Sequence, residues 1–129
     1  MKVLLVKTND TVSAVQIFTQ RNNEVSMDDI RKLVPRRADM LYLPKISRLA
    51  FLYVMFVEKD IHDRPINKLA SSLVDEGTGA ITGDVVIART NHLGFGAKLF
   101  ALEDSEIQNI LDRLSKLAKT KVELIKERK

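Results

Sequence analysis

Three side chains that can ligate a metal alternate directly after a long apolar run. Glu58, Asp60 and His62 would all point to one side of an extended strand, and carboxylate and imidazole groups bind several divalent metals. The same residues also mark the charged end of a strand, where a solvated loop normally begins. Because no family spacing accompanies them, we interpret them as a loop and expect neither a metal nor another cofactor.

Side chains for acid-base or nucleophilic catalysis are sparse. The two histidines, His62 and His92, could each act as a general base. No Gly-x-Ser-x-Gly motif accompanies them, and no pair of carboxylates stands out. We therefore expect no catalytic residues and a protein that is not an enzyme. A metal-dependent enzyme around Glu58, Asp60 and His62 remains a second alternative.

A glycine-rich segment from Gly77 to Gly83 invites comparison with a phosphate-binding loop. Such a loop follows a strand, opens a helix and carries a Gly-Lys-Ser/Thr sequence. Here the predicted order is helix, loop and strand, and no lysine follows the glycines. The segment is better explained as a helix stop followed by a tight turn.

The densest group of basic residues is Arg31, Lys32, Arg36 and Arg37. Such a group could bind phosphates by releasing counterions. Proteins that bind single strands usually also stack bases on exposed aromatic side chains, and only Tyr42 lies nearby. A solvated helix end explains the cluster better, so nucleic-acid binding through these four residues is the alternative function.

The last amphipathic segment is the best candidate for an interaction surface. Apolar residues recur every three or four positions from Ile107 to Ile125, which predicts a helix over about 104–127. One apolar row can cover a sheet, and the end of the helix would then offer Leu117, Leu124 and Ile125 to a second copy or to another protein. Packing within the domain's own core is an equally strong alternative.

Composition describes a water-soluble protein with an aliphatic core. The chain has 129 residues, no cysteine, 5% aromatic residues and a net charge of +4. Without cysteine, disulfides and thiolate metal sites are excluded. The longest apolar run, Leu49–Val57, has nine residues, about half the length of a membrane-spanning helix. We expect a cytoplasmic protein that does not enter the membrane.

Hydrophobic periodicity predicts one α+β domain over residues 1–129. The order ββαββαββα indicates a mostly antiparallel sheet with two or three helices on one face, the last helix being long and amphipathic. The predicted strands cover residues 3–6, 12–19, 40–43, 48–57, 84–89 and 97–102, and residues 20–25 form a polar connector. The predicted helices cover residues 27–34, the segment between Pro65 and the glycines, and about 104–127.

Capping residues predict where these helices begin. Ser26 fits the N-cap of the first helix, and Asp104 or Ser105 fits that of the last. Pro65 suits the first helical position of the middle helix, because its missing N–H would have no partner there. Asn67 would then face outward.

One segment resembles a known family. The pattern Arg-Pro-Ile-Asn67-x-Leu-Ala70-x-x-Leu, then Ile81-x-Gly83-Asp-Val-Val-Ile, then Glu-Asp-Ser-Glu-Ile107 is similar to a family of small domains of unknown function. That family occurs in phages, plasmids and other mobile elements, often near antirestriction or DNA-metabolism genes. The resemblance spans roughly residues 48–111. It implies a small α+β domain in a viral or mobile-element setting, in the host cytoplasm if the protein is viral, and it supplies no catalytic residues.

Together these observations predict a small, non-enzymatic accessory protein that acts through protein–protein interaction. Its partner would be a host protein or a protein encoded beside it, and a homo-oligomer could form through the last helix. Nucleic-acid binding by the basic cluster is the alternative, which a salt titration of binding would test.

Overall fold

Strands and helices follow one another along the chain largely in the predicted order. The computed structural model describes residues 2–17, 24–34, 38–47, 52–58, 65–75, 78–91, 98–122 and 124–125, and every structural statement below concerns these residues. In chain order the elements are β1 (Lys2–Val6), β2 (Val12–Gln16), β3 (Glu24–Val25), α1 (Met27–Leu33), β4 (Ala38–Tyr42), β5 (Leu52–Glu58), α2 (Lys68–Ser71), β6 (Val85–Thr90), β7 (Leu99–Phe100), α3 (Asp104–Ala118) and β8 (Leu124–Ile125).

The strands form one mostly antiparallel sheet, so the predicted α+β class is confirmed. β6 lies at the centre, with β5 along one edge and with β1 and β7 sharing the other. Further out, β4 follows β5, β2 follows β1, and β3 follows β7. The β1–β2 hairpin turns through Asp10, whose φ is 65°. β8 lies outside β2 and is parallel to it.

Both faces of the sheet are covered, which explains the continuous apolar runs in the sequence. Along β1, Leu4 and Val6 join one core cluster whereas Val3 and Leu5 join another, because successive side chains of a strand point to opposite faces. The first cluster contains residues of α2 and α3, and the second contains residues of α1. Two helices therefore share one face, as predicted, and α1 covers the opposite one.

α1 begins where the capping residue predicts. The Ser26 hydroxyl accepts a hydrogen bond from the Asp29 N–H at 3.3 Å, and Asp28 and Asp29 occupy the first turn, where carboxylates favour the helix dipole. Ile30 is the fully buried residue of the helix. The predicted connector at residues 20–25 is wrong for Glu24 and Val25, which form the short strand β3, and residues 20–23 lie outside the described part of the chain.

The start of α2 corrects the prediction for Pro65 and Asn67. Pro65 precedes the helix, and Asn67 is its N-cap. Asn67 does not face outward but is completely buried. Its side-chain oxygen accepts from the Ala70 N–H at 3.0 Å, and its amide donates to the carbonyl oxygens of Val6 and Gly83, each at 2.9 Å. One side chain thus caps α2 and ties it to the end of β1 and to the turn before β6.

α3 ends earlier than predicted. It finishes at Ala118, and Lys119 takes a left-handed backbone conformation with φ at 55°. The Ser115 hydroxyl accepts a hydrogen bond from the Val122 N–H at 3.0 Å, and Leu124–Ile125 form β8 instead of further helix. The hydrophobic periodicity predicted too long a helix because Val122 packs into the same core cluster as α3 although it lies outside the helix.

Replacing Asn67 by Asp should destabilise the protein strongly. The variant keeps the oxygen that caps α2, but it loses both amide donors and places a carboxylate against two carbonyl oxygens. We expect the free energy of unfolding to fall by about 3 kcal/mol, because removing a partner from buried polar groups leaves them unsatisfied. Urea denaturation followed by circular dichroism measures the change.

The matched control is Asn91→Asp. Asn91 is exposed, and its side-chain oxygen accepts from the Lys98 N–H, which an Asp can also do. We expect a change of less than about 0.5 kcal/mol there. Equal stability of the two variants would show that the Asn67 amide contributes nothing.

Candidate functional site

Among the described strands, β4 lies at one edge of the sheet. It pairs with β5 in a register that runs from Ala38 opposite Glu58 to Tyr42 opposite Val54. Among the strands that the structure describes, no second one pairs with β4. The outer side of an edge strand presents backbone N–H and C=O groups that can pair with another chain.

The hydrogen-bond pattern identifies the residues that face this edge. The Leu43 N–H donates to the Tyr53 carbonyl oxygen at 3.0 Å, and the register of β4 and β5 continues to this pair, so it lies at a hydrogen-bonded position of the ladder, while the Tyr53 N–H donates to the Ser47 hydroxyl at 2.9 Å. Such pairs alternate with non-hydrogen-bonded pairs along an antiparallel ladder, so the odd-numbered residues of β4 bond to β5. The even-numbered residues Ala38, Met40 and Tyr42 therefore direct their N–H and C=O groups away from β5.

Two of these edge residues also expose apolar side chains. Met40 is 41% exposed and Tyr42 is 39% exposed. They lie opposite Phe56 and Val54 in the ladder, on the face that α1 covers further in. Asp39 is the single charged residue of the strand. The backbone groups of Ala38, Met40 and Tyr42 and the side chains of Met40 and Tyr42 together form a surface that we call the β4 edge.

The basic cluster predicted as a nucleic-acid site is only partly within the described residues. Arg31 lies 3.7 Å from the carboxylate of Asp28, and Lys32 lies 3.5 Å from that of Asp29. Each described cation of the cluster therefore has an acidic neighbour one helical turn earlier, which reduces its attraction for phosphate. Arg36 and Arg37 lie outside the described residues, and nucleic-acid binding stays a prediction.

The predicted interface residues Leu117, Leu124 and Ile125 do not share a helix face. Leu117 lies on α3, where it is half-buried and packs against the core. Leu124 and Ile125 lie on β8, whose backbone pairs with β2. Leu124 is 38% exposed and borders a groove of about 610 Å³ between α3 and the segment that follows it. A partner that contacts these residues stays a prediction, and it could not bind them as one helical row.

The candidate metal ligands are not brought together within the described residues. Glu58 ends β5, whereas Asp60 and His62 lie outside the described part of the chain, as does His92. Within that part, no three acidic or histidine side chains form a group suited to a metal ion.

The glycine loop has the geometry of a turn. Gly79 and Gly83 have φ values of 86° and 76°, in the left-handed region that favours glycine. A side chain at Gly79 would meet nothing within 4 Å, so conformation and not space requires glycine there. The described residues 78–83 precede β6, in agreement with the predicted order of helix, loop and strand. The prediction that the glycines stop the helix is wrong, because α2 already ends at Ser71.

A polar network that the sequence did not predict fastens α3 to the sheet. Glu103 is the N-cap of α3, one residue before the predicted Asp104, and Glu106 lies in the first turn. The Glu106 carboxylate accepts hydrogen bonds from the Tyr53 hydroxyl at 2.9 Å, from Arg89 Nη1 at 3.3 Å and from the Glu103 N–H at 3.1 Å. Its side chain is 7% exposed and that of Arg89 is 23% exposed.

This network borders a pocket of about 220 Å³. The pocket is lined by Ile46, Tyr53, Glu103, Ser105, Glu106, Asn109, Ile110 and Arg113. Both oxygens of the Glu106 carboxylate already accept bonds from the protein, and Arg89 supplies the opposing charge. The arrangement therefore explains how α3 docks without any need for a ligand.

Tyr53→Phe should weaken this docking. The variant removes the hydroxyl that donates to a buried carboxylate, and hydrogen bonds to charged groups contribute about 2 kcal/mol. We expect a loss of that size in urea denaturation. Tyr42→Phe makes the same change at an exposed position on β4 and should alter stability by less than about 0.5 kcal/mol. If both variants unfold at the wild-type urea concentration, the Tyr53 hydroxyl does not stabilise the fold.

Comparisons with known proteins found no relative of this chain. No family model, no curated protein and no solved structure matches the chain. None of the described helices is long and apolar enough to cross a membrane.

Proposed function

We propose that this protein is a non-enzymatic binding protein that recruits another polypeptide to the β4 edge by strand addition. The observation that carries the proposal is the coincidence of two features on the same residues. Met40 and Tyr42 direct their backbone groups away from β5, and their apolar side chains are exposed. A polypeptide strand satisfies both features at once, because its backbone extends the ladder while its side chains cover the apolar surface.

The size of these contributions favours a polypeptide partner. Each backbone hydrogen bond to the edge contributes about 1 kcal/mol net. Covering the exposed parts of Met40 and Tyr42 adds about 1–2 kcal/mol each at roughly 25 cal/mol/Å². The described basic residues Arg31 and Lys32, in contrast, already have acidic neighbours.

The setting that we propose is a phage or another mobile element, and the partner is a host protein or one encoded by the same element. The support for this setting is the resemblance around Asn67, Gly83 and Ile107 to a family found in such elements. The non-enzymatic part of the proposal is supported by Glu106, a buried carboxylate whose oxygens are engaged in holding α3.

Site-specific photo-crosslinking tests the β4 edge. A benzophenone amino acid in place of Tyr42 should give protein adducts in cells that express the protein. These adducts should fall at least fivefold when Met40→Pro is added, because proline removes an N–H that faces the partner and leaves the β5 ladder intact. Gel electrophoresis and mass spectrometry measure the adducts.

The control places the same photoreactive residue at Gln108, which is exposed on α3 away from the β4 edge. Circular dichroism should show that Met40→Pro is folded. Adducts at Tyr42 that are no more abundant than those at Gln108, or that survive Met40→Pro in a folded protein, would reject strand addition at this edge.

A further inference from the structure

We infer that the strand added at the β4 edge is the β4 of a second copy of this chain, antiparallel, with the two-fold axis passing beside Met40. The inference rests on the proposed role of the β4 edge and identifies its partner. In this dimer the two sheets join into one, and the same surface contributes from both copies, as in an isologous interface.

Self-pairing requires that outward-facing residues meet outward-facing residues. On β4 these are Ala38, Met40 and Tyr42, as the hydrogen bond between Leu43 and Tyr53 establishes. When Met40 lies opposite Met40 of the second copy, all three outward residues find outward partners. This arrangement also pairs all five residues of β4, and any shift along the strand pairs fewer.

The side chains fit this register. Tyr42, the largest residue of the strand, lies opposite Ala38, the smallest, and Met40 packs against its own copy. On the other face Asp39 lies opposite Leu41, so the two carboxylates are not directly across from each other. Cross-strand pairs of this kind stabilise antiparallel ladders.

Both neighbouring registers are less favourable. Moving the axis to Asp39 places two carboxylates directly opposite each other, which destabilises a strand pair. Moving it to Leu41 places Ala38 opposite Pro44, which lies in the turn after β4 and has no N–H to donate. The sequence of β4 and its flank thus selects Met40 as the centre.

Two short strands bury less surface than a permanent dimer needs, so the dimer should be reversible. Interfaces below about 1,200 Å² belong to transient complexes. We expect sedimentation equilibrium to give a mass that rises from 14.6 kDa towards twice that value over tens to hundreds of micromolar protein, an estimate that follows from the small interface. Met40→Pro should remain monomeric over the same range.

The absence of cysteine makes the register directly testable, because a single introduced cysteine can form only an intermolecular disulfide. Met40→Cys places the two sulfur atoms across the axis, where directly opposite Cα atoms are about 5.5 Å apart and within disulfide range. Asp39→Cys is the matched control, since two residues in this diagonal relation are about 7–8 Å apart. Under mild oxidation we expect Met40→Cys to form the covalent dimer at least tenfold faster than Asp39→Cys.

Two experimental outcomes would contradict the inferred dimer. Faster crosslinking of Asp39→Cys shows a different register and overturns the one inferred here. A wild-type protein that stays monomeric, together with Met40→Cys that crosslinks no faster than Gln108→Cys, overturns self-pairing. In that case adducts from the photoreactive residue at Tyr42 still show whether a different protein occupies the edge, so failure of the dimer is distinguishable from failure of the proposed function.

Discussion

The architecture depends on β6, which is held by hydrogen bonds at both of its edges and by packing on both of its faces. Its residues hydrogen bond to β5 on one edge and to β1 and β7 on the other. Val85, Val86, Ile87 and Ala88 are at the same time fully buried on both faces. A strand that has neighbours at both edges and is buried on both faces must lie at the centre of the sheet. The position of every other described strand follows from its pairing with β6 or with a neighbour of β6. Backbone groups that have no partner among the described strands therefore lie at the edges of the sheet, where β4 is found.

Local and periodic features of this fold are readable from the sequence. The apolar centre of β6 predicts a strand covered on both sides, and Ser26 predicts the start of α1, because each signal lies within a few residues of the structure it specifies. Asn67 shows where such signals fail. A periodicity argument assigns a polar side chain to solvent, but this one is buried by partners on β1 and in the turn before β6. Those partners are distant in sequence, so no local pattern indicates them.

The candidate functional sites also differ in how far the sequence predicts them. Arg31 and Lys32 are conspicuous by residue type, yet each has an acidic neighbour within the protein that balances its charge. The β4 edge was missed for the opposite reason, since its distinguishing groups are backbone atoms that every residue carries. The apolar run from Met40 to Leu43 predicts a strand but does not say that one side has no neighbour among the described strands. Pro44, two residues after the strand, is the sequence signal that could have suggested an edge, because proline is tolerated there.

β8 has a consequence for the order in which the fold is completed. It is parallel to β2, and Val12 and Leu124 pair although nearly the whole described chain separates them. Closing so long a loop is entropically unfavourable, and only two residue pairs are gained in return. β8 should accordingly dock after the rest of the sheet has formed and leave before it unfolds. β8, at the end of the sheet beyond β2, is thus the last strand to form during folding. Its local opening requires far less free energy than global unfolding.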